Sequence, residues 1–290
     1  MTAAANAHDL AEGGGQARGA RPGNLIVTIY GLYAQHGGWI SVAALVDLLG
    51  DLGVDEPAVR SSVSRLKRRG ILRSARQDGA AGYAVSDDGR AILREGDQRI
   101  FARQRADVGD GWVLAVFSVP EAERHKRHLL RSQLTRLGYG TAAPGVWIAP
   151  AHLRDVTIDT LSRLGLDGYA DLFAADHIAF GDLPTLVRRW WDLDELHRNY
   201  QEFLDAHGPS ARRHDGRTPD GPAAFADYVR LVTDWRRLPY LDPGLPAALL
   251  PDDWIGIRAA DLFFALHTGL EGAARAHVRR VTESVSGGRR

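Results

Sequence analysis

Residues 55–70, DEPAVRSSVSRLKRRG, admit one regular structure. Asp55 is a helix-capping residue type, Pro57 falls in a first turn where its missing N–H is no loss, and Gly70 stops the segment. On a wheel of ~100° per residue, Val59, Val63 and Leu66 share one side, with Ser61, Ser64, Arg65 and Arg68 opposite and Arg60 on the flank. Such a helix packs through a narrow apolar stripe and keeps a basic face free. It therefore needs neighbours on one side only.

The flanking sequence supplies them. Over residues 24–36 the apolar Leu25, Ile26, Ile29, Tyr30, Leu32 and Tyr33 recur at helical spacing before Gly37 and Gly38. Ser41 caps a second helix that carries Leu45, Leu48 and Leu49 to a stop near Gly50. After Gly70, ILRSAR and GYAVS read as strands separated by the turn-forming residues 77–81. Three helices and a hairpin predict a winged helix-turn-helix over residues 23–87, preceded by a flexible tail over 1–22. Lys plus Arg equals Asp plus Glu at 36 each, yet residues 56–76 hold seven basic residues against Glu56 alone. A concentrated patch on a neutral chain is a site rather than a bulk property.

Residues 88–108 read as a polar helical connector, and the period then changes. Residues 112–119 form a nearly unbroken apolar run typical of a buried strand. A helix over 121–137 stopped by Gly138, a hairpin of 139–141 with 146–149 around Pro144-Gly145, a helix over 153–164 and a strand over 169–174 follow. The order β-α-β-β-α-β predicts a ferredoxin-like domain over 109–181, with helices on one face of a small sheet. From 182 to 282 the period is helical, over 186–207, 223–237 and 257–280, interrupted by a Gly-, Pro- and Asp-rich segment at 208–222 that reads as a mobile loop. Residues 283–290 read as a second tail. The fold class is α+β.

An α-helix fits the major groove, where Arg donates two hydrogen bonds to guanine O6 and N7 and short Ser hydroxyls allow close approach. Residues in the first half of such a helix reach base edges. Arg60, Ser61, Ser64 and Arg65 are thus the candidates for base readout, and Lys67, Arg68, Arg69, Arg73 and Arg76 for phosphates. The bland alternative, a solvated Arg-rich face, competes with a complete three-helix-plus-wing layout whose third helix and wing strand are both basic. The expected partner is double-stranded operator DNA.

Other chemistries find little support. Cysteine is absent, which removes disulfides, thiolate metal sites and cysteine nucleophiles. His125 and His128 are three apart on one helix, but HKRH lies in a basic stretch and reads as a solvated face. There is no GxSxG, phosphate loop or dinucleotide fingerprint, so the expectation is a non-enzyme without cofactor or metal. The start lacks the apolar core of a signal peptide and no run approaches the ~20 apolar residues of a membrane span, which predicts a cytoplasmic chain with no membrane partner.

Four segments carry a family resemblance: VDEPAVRSSVSRLKRRGIL, SDDGRAILREGDQRIF, WWDLDELHRNYQEFL and WRRLPYLDPGLPAALLPDDWIG. Together they resemble the PaaX-type repressors of phenylacetic acid catabolism, over about residues 25–281. The resemblance implies a homodimeric repressor with a winged helix, a central ferredoxin-like domain similar to a small CRISPR-associated nuclease, and a helical C-terminal domain. It also implies an acyl- or aryl-CoA effector, phenylacetyl-coenzyme A in the best-known members, that releases operator DNA. The related nucleases hold metal through an aspartate at the end of their first strand, whereas VLAVFSVP contains no carboxylate. A metal-dependent nuclease with a winged helix for docking is the rival reading, and a protein-binding module is another.

An effector of that class needs cations for its phosphates and aromatic walls for its rings. Arg188, Arg189, Trp190, Trp191, Arg198, Tyr200, Trp235, Arg236, Arg237 and Tyr240 mix the two and are the candidates. The alternative is that the tryptophans are core and the arginines rim it. Likewise DPGLPAALLP reads as a rigid turn rather than a ligand loop.

Overall fold

A computed structural model describes residues 21–34, 38–102, 104–214 and 220–287. The predicted tail over 1–22 lies outside the described residues up to position 20, as do residues 215–219 of the predicted loop and the last three positions. The chain divides into two compact units, each discontinuous in sequence: Met1–Ile100 with Phe203–Arg236 and Arg258–Arg290, and Phe101–Glu202 with Arg237–Ile257.

The first unit begins with α1 (Pro22–Tyr33), β1 (Trp39–Ser41), α2 (Val42–Gly50) and α3 (Glu56–Arg68). The two expected caps form: Ser41 Oγ accepts from the Ala44 N–H at 3.1 Å, and the Asp55 carboxylate accepts from the Ala58 N–H at 2.8 Å. β2 (Leu72–Gln77) and β3 (Ala80–Val85) follow as an antiparallel hairpin, and β1 pairs with β3 to give the order β1-β3-β2. The hairpin loop is tighter than the sequence suggested. Gln77 pairs with Ala80, so only Asp78 and Gly79 turn, both at positive φ as a two-residue hairpin turn requires.

α4 (Asp87–Phe101) leads out of this region, and the remainder of the unit comes from the last third of the chain. There α9 (Gly221–Trp235) is buried along most of its length, with Phe225, Tyr228, Val229, Leu231 and Trp235 at 0–1% exposure. Thr233 Oγ1 donates to Thr28 Oγ1 on α1 at 2.8 Å, and Arg230 Nη2 donates to the Leu52 carbonyl at 3.2 Å. Residues 208–214, expected in the mobile loop, are instead the final turns of α8 (Leu193–His214), with Pro209 inside the helix. Ser210, Arg213 and His214 all bond the Asp227 carboxylate on α9, at 2.6, 2.8 and 2.9 Å, and these contacts hold the turns in place. The last helix, α11 (Gly256–Gly287), runs beyond the expected boundary at 282.

The second unit is built on an antiparallel sheet of order β5-β6-β4-β7, from β4 (Trp112–Phe117), β5 (Gly140–Ala143), β6 (Val146–Pro150) and β7 (Ala170–Ala175). Connecting them are α5 (Arg124–Leu137) and α6 (Arg154–Arg163). One face of the sheet, with Val113, Ala115, Trp147 and Ala149, packs on Leu130, Leu134 and Leu137 of α5 and Leu161 of α6. The opposite face is covered too, which corrects the expectation of helices on one side only. Trp112 and Ile148 pack on Val187 and Trp191 and on Leu245, Leu249 and Leu250. The reason lies in β4: WVLAVF is apolar at successive positions, and a strand that is apolar on both faces needs cover on both.

Residues 182–282, expected as one helical domain, thus divide between the units. The predicted helix over 186–207 is broken as well, into α7 (Leu183–Trp190) and α8, because Trp191 is extended and Asp192 accepts from the Glu195 N–H at 2.8 Å to start a new helix. Between α9 and α11 lies the short α10 (Leu238–Leu241), followed by the DPGLPAALLP segment. That segment is pinned from inside: Asp242, 3% exposed, accepts from the Gly244 N–H and from Tyr200 Oη at 2.7 Å, with Arg105 at 3.8 Å.

Candidate functional site

α3 is amphipathic in the sense expected. Val59, Ser62, Val63 and Leu66 are 1–3% exposed, whereas Arg60, Ser61, Ser64, Arg65, Lys67 and Arg68 are exposed. Arg69, past the helix end, is half-buried. Ser62 was not among the sequence candidates, and its burial gives it a supporting part: its Oγ accepts from Arg65 Nη2 at 2.8 Å, while Ser61 Oγ accepts from Arg65 Nη1 at 2.9 Å. Arg60 is held differently. Its Nε donates to Glu56 Oε1 at 2.7 Å, and Nη2 donates to the same oxygen. The helix is thus a row of short serines flanked by two oriented guanidinium groups.

The hairpin adds Arg73 and Arg76, both exposed. Three positions apart on β2, they point to opposite faces, because side chains alternate along a strand. They do not form one patch. Lys67 Nζ lies 5.8 Å above the Tyr83 ring of β3, and Tyr30 Oη donates to the Tyr83 carbonyl at 3.1 Å, so α1, α3 and the hairpin share contacts around Tyr83. Burial pushes the Tyr30 hydroxyl well above its usual pKa, so it stays a neutral donor.

The aromatic and basic candidates are divided between the two compact units. Trp235 and Arg236 belong to one compact unit; Arg188, Arg189, Trp190, Trp191, Arg198, Tyr200, Arg237 and Tyr240 belong to the other. Trp235 is fully buried, stacked on Phe263 with ring centroids 4.6 Å apart, and its Nε1 donates to the Ile100 carbonyl. Tyr200 is equally buried on Asp242. Trp190 and Trp191 group with Trp112, and Trp191 Nε1 donates to the Gly138 carbonyl at 2.9 Å. Beside them opens a cleft of about 250 Å³, lined by Tyr139, Trp147, Trp190 and Trp191 and by the acidic Asp192 and Glu195. Among the described residues no arginine lines it.

His125 and His128 are exposed on α5. Nearby Glu123 is engaged elsewhere: it accepts from Tyr169 Oη at 2.8 Å and pairs with Lys126 at 3.0 Å, and these hydrogen bonds hold its carboxyl below the usual range. Among the described residues no group of three or more His, Asp or Glu side chains is placed to hold a metal ion. His207 and His214 are helical and bond Asp234 and Asp227 at 3.0 and 2.9 Å. Among the described residues no helix is long and apolar enough to cross a membrane.

Three family models match the chain in succession: a PaaX-like protein model at residues 21–89, the PaaX protein central Cas2-like domain at 105–187, and the PaaX-like protein C-terminal domain at 191–280. The chain belongs to the PaaX-like family. A relative within reach of sequence comparison is the transcriptional repressor PaaX of Escherichia coli strain K12, 28% identical over 273 residues, which cover 91% of this chain and 85% of the relative. Among solved structures, the uncharacterized protein Rv0674 from Mycobacterium tuberculosis shares the fold with a TM-score of 0.58 at 23% identity, over 88% of this chain and 97% of that one. In this PaaX-like chain the first family model covers the whole of α1 to β3, and the Cas2-like central domain spans the four-stranded sheet.

Proposed function

We propose that this PaaX-like protein is a DNA-binding transcriptional regulator in which residues 23–87 form a winged helix-turn-helix and α3 is the recognition helix. The observation that carries the reading is the division of α3 itself: an apolar stripe seated on α1 and α2, and an exposed face of Arg60, Ser61, Ser64, Arg65 and Arg68 with no core to serve. In this reading Arg60, Ser61, Ser64 and Arg65 read base edges, while Lys67, Arg68, Arg69 and whichever of Arg73 and Arg76 faces the duplex contact phosphates. The likeness to a protein named a transcriptional repressor supports repression as the outcome.

The strand order of the central sheet and its antiparallel registers support a ferredoxin-like reading of that domain. Two copies acting as a homodimer would match a two-fold operator whose half-sites are ~10 base pairs or a multiple apart. An acyl- or aryl-CoA effector, proposed on the family resemblance, would release the DNA by favouring a dimer geometry that no longer fits those half-sites. The tryptophan-walled cleft, lined by aromatic rings and two carboxylates, suits the aryl end of such a ligand rather than its phosphates. The nuclease reading is less favoured, since β4 and the turn after it carry no carboxylate and the named relative is a repressor.

A gel-shift titration tests the central claim. Arg60→Ala combined with Arg65→Ala should lower affinity for the cognate duplex at least ~10-fold, as expected when a bidentate base contact worth ~1–3 kcal/mol is lost. Unchanged affinity and salt dependence would overturn it, and cleavage of plasmid with Mg²⁺ or Mn²⁺ present would point to the nuclease instead.

A further inference from the structure

We propose that Glu56 is a specificity determinant: it grips one edge of the Arg60 guanidinium so that the opposite edge is presented to a guanine. This rests on the reading of α3 as a recognition helix and goes beyond it, because an acidic residue is the last one expected to assist binding to a polyanion.

A guanidinium has two edges that can make paired hydrogen bonds. One is the side edge of Nε and Nη2; the other is the end edge of Nη1 and Nη2. In Arg60 the side edge is occupied, since Nε and Nη2 both donate to Glu56 Oε1. The end edge faces away, and Nη1 makes no hydrogen bond to the described residues. The pair stands in solvent, the Arg60 side chain 64% exposed and the Glu56 side chain 50% exposed. Arg65 is arranged in the reverse way. Its Nη1 and Nη2 donate to Ser61 and Ser62, so its end edge is the one held and its Nε side edge is the one left. Of the two arginines in the predicted reading set, only Arg60 is held by a carboxylate with its end edge open.

The location of Glu56 agrees. It is the first residue of α3, fixed by the Asp55 cap before it and Pro57 after it, and the first turns of a recognition helix approach the bases. A carboxylate there repels phosphates, so on electrostatics alone it weakens binding to every sequence alike. Its benefit has to come from elsewhere. Holding Arg60 in one rotamer removes part of the ordering cost of a long side chain on binding, and it directs the fork to one base pair. An ordinary surface pair at i and i+4 would add a few tenths of a kcal/mol to helix stability and leave base preference alone.

The two accounts differ in sign on different substrates. Full-length wild type, Glu56→Ala, Glu56→Gln and Arg60→Ala would each be used to select binding sites from a randomised duplex pool, then titrated on the selected site, on its single-base-pair variants and on unrelated duplex. Glu56→Ala is expected to lose ~5- to 100-fold of discrimination at one G·C position, the same position lost by Arg60→Ala, while binding unrelated duplex as tightly as wild type or more tightly. Glu56→Gln, which keeps an acceptor for Arg60 without the charge, should retain part of the preference. If wild type enriches a motif and Glu56→Ala enriches the same motif with unchanged discrimination, or loses affinity equally on all duplexes, the role assigned to Glu56 is wrong while the DNA reading stands. If wild type enriches nothing and binds no duplex, the DNA reading itself fails and takes this one with it. Thermal melting separates misfolding from either result.

Discussion

His277 on α11 and Asp51, the residue that ends α2, meet at 2.7 Å across 226 positions of sequence. His277 is only 7% exposed and its ring packs against Phe225 of α9. With the Thr233 to Thr28 and Arg230 to Leu52 hydrogen bonds, it joins the predicted DNA-reading segment to helices from the end of the chain. These residues belong to one compact unit, so the segment that carries α3 is built on a floor that includes α9 and α11. His277→Ala should cost about 1–3 kcal/mol, because it leaves the Asp51 carboxylate without its partner. In a thermal melt this would appear as a fall of roughly 3–8 °C. A variant that melts with wild type would show that the joint contributes nothing.

Asp227 gives a pH-dependent contribution of defined sign. Partial burial pushes its carboxyl up, but hydrogen bonds from Ser210, His214 and Arg213 outweigh that and leave it below its ordinary value of 3.8. A group whose folded value is depressed stabilises the fold fully above its unfolded value, and that stabilisation disappears as the pH falls through the lower, folded one. The expected result is therefore acid-induced loosening of the end of α8 below about pH 4, which Asp227→Asn shares already at neutral pH at a cost of about 1–3 kcal/mol. Hydrogen exchange at residues 208–214 reads it directly. Exchange that is equally slow in wild type and Asp227→Asn at neutral pH would refute the prediction.

What could be read from the sequence follows from how local each signal is. Ser41, Asp55 and Gly138 act on their own next few residues, and the helix starts and stops they mark are where residue type placed them. The outward face of α3 was legible for the same reason. β1 was missed because three residues carry no period and its only warrant is pairing with β3, some forty positions later. The end of α8 was missed because Gly208 and Pro209 argue locally against a helix, while the bonds that hold it come from Asp227 on another element. Glu56 was counted only as one negative charge among seven positive ones. Its contact with Arg60 is local, but the edge that contact leaves open is a matter of atoms, not of residue types.

Trp235 and Trp190 were grouped by composition, and the structure gives them different expected phenotypes. Trp235 is at 0% exposure against Phe263 and Phe203. Trp235→Ala should cost about 3–5 kcal/mol, the usual result of emptying a large buried site. Trp190 is half-buried on the wall of the cleft, so Trp190→Ala should be milder. If the cleft takes the aryl end of a CoA thioester, the thermal shift produced by phenylacetyl-coenzyme A should shrink in Trp190→Ala and persist in Trp235→Phe. The reverse pattern would move the effector away from the cleft.

Arg73 and Arg76 provide the sharpest check on how the hairpin is used. Both are exposed and both were assigned to phosphates, yet the alternation of β2 turns them to opposite faces. A hairpin lying along a duplex presents one face to it. Each phosphate contact contributes ~0.9 to the slope of log affinity against log salt on B-form DNA. One of the two alanine variants should therefore flatten that slope by about one unit, comparably to Arg68→Ala on the helix, while the other leaves it unchanged. Equal effects from both would mean that the hairpin inserts edge-on or remodels on binding, and no effect from either would restrict the DNA contact to α3.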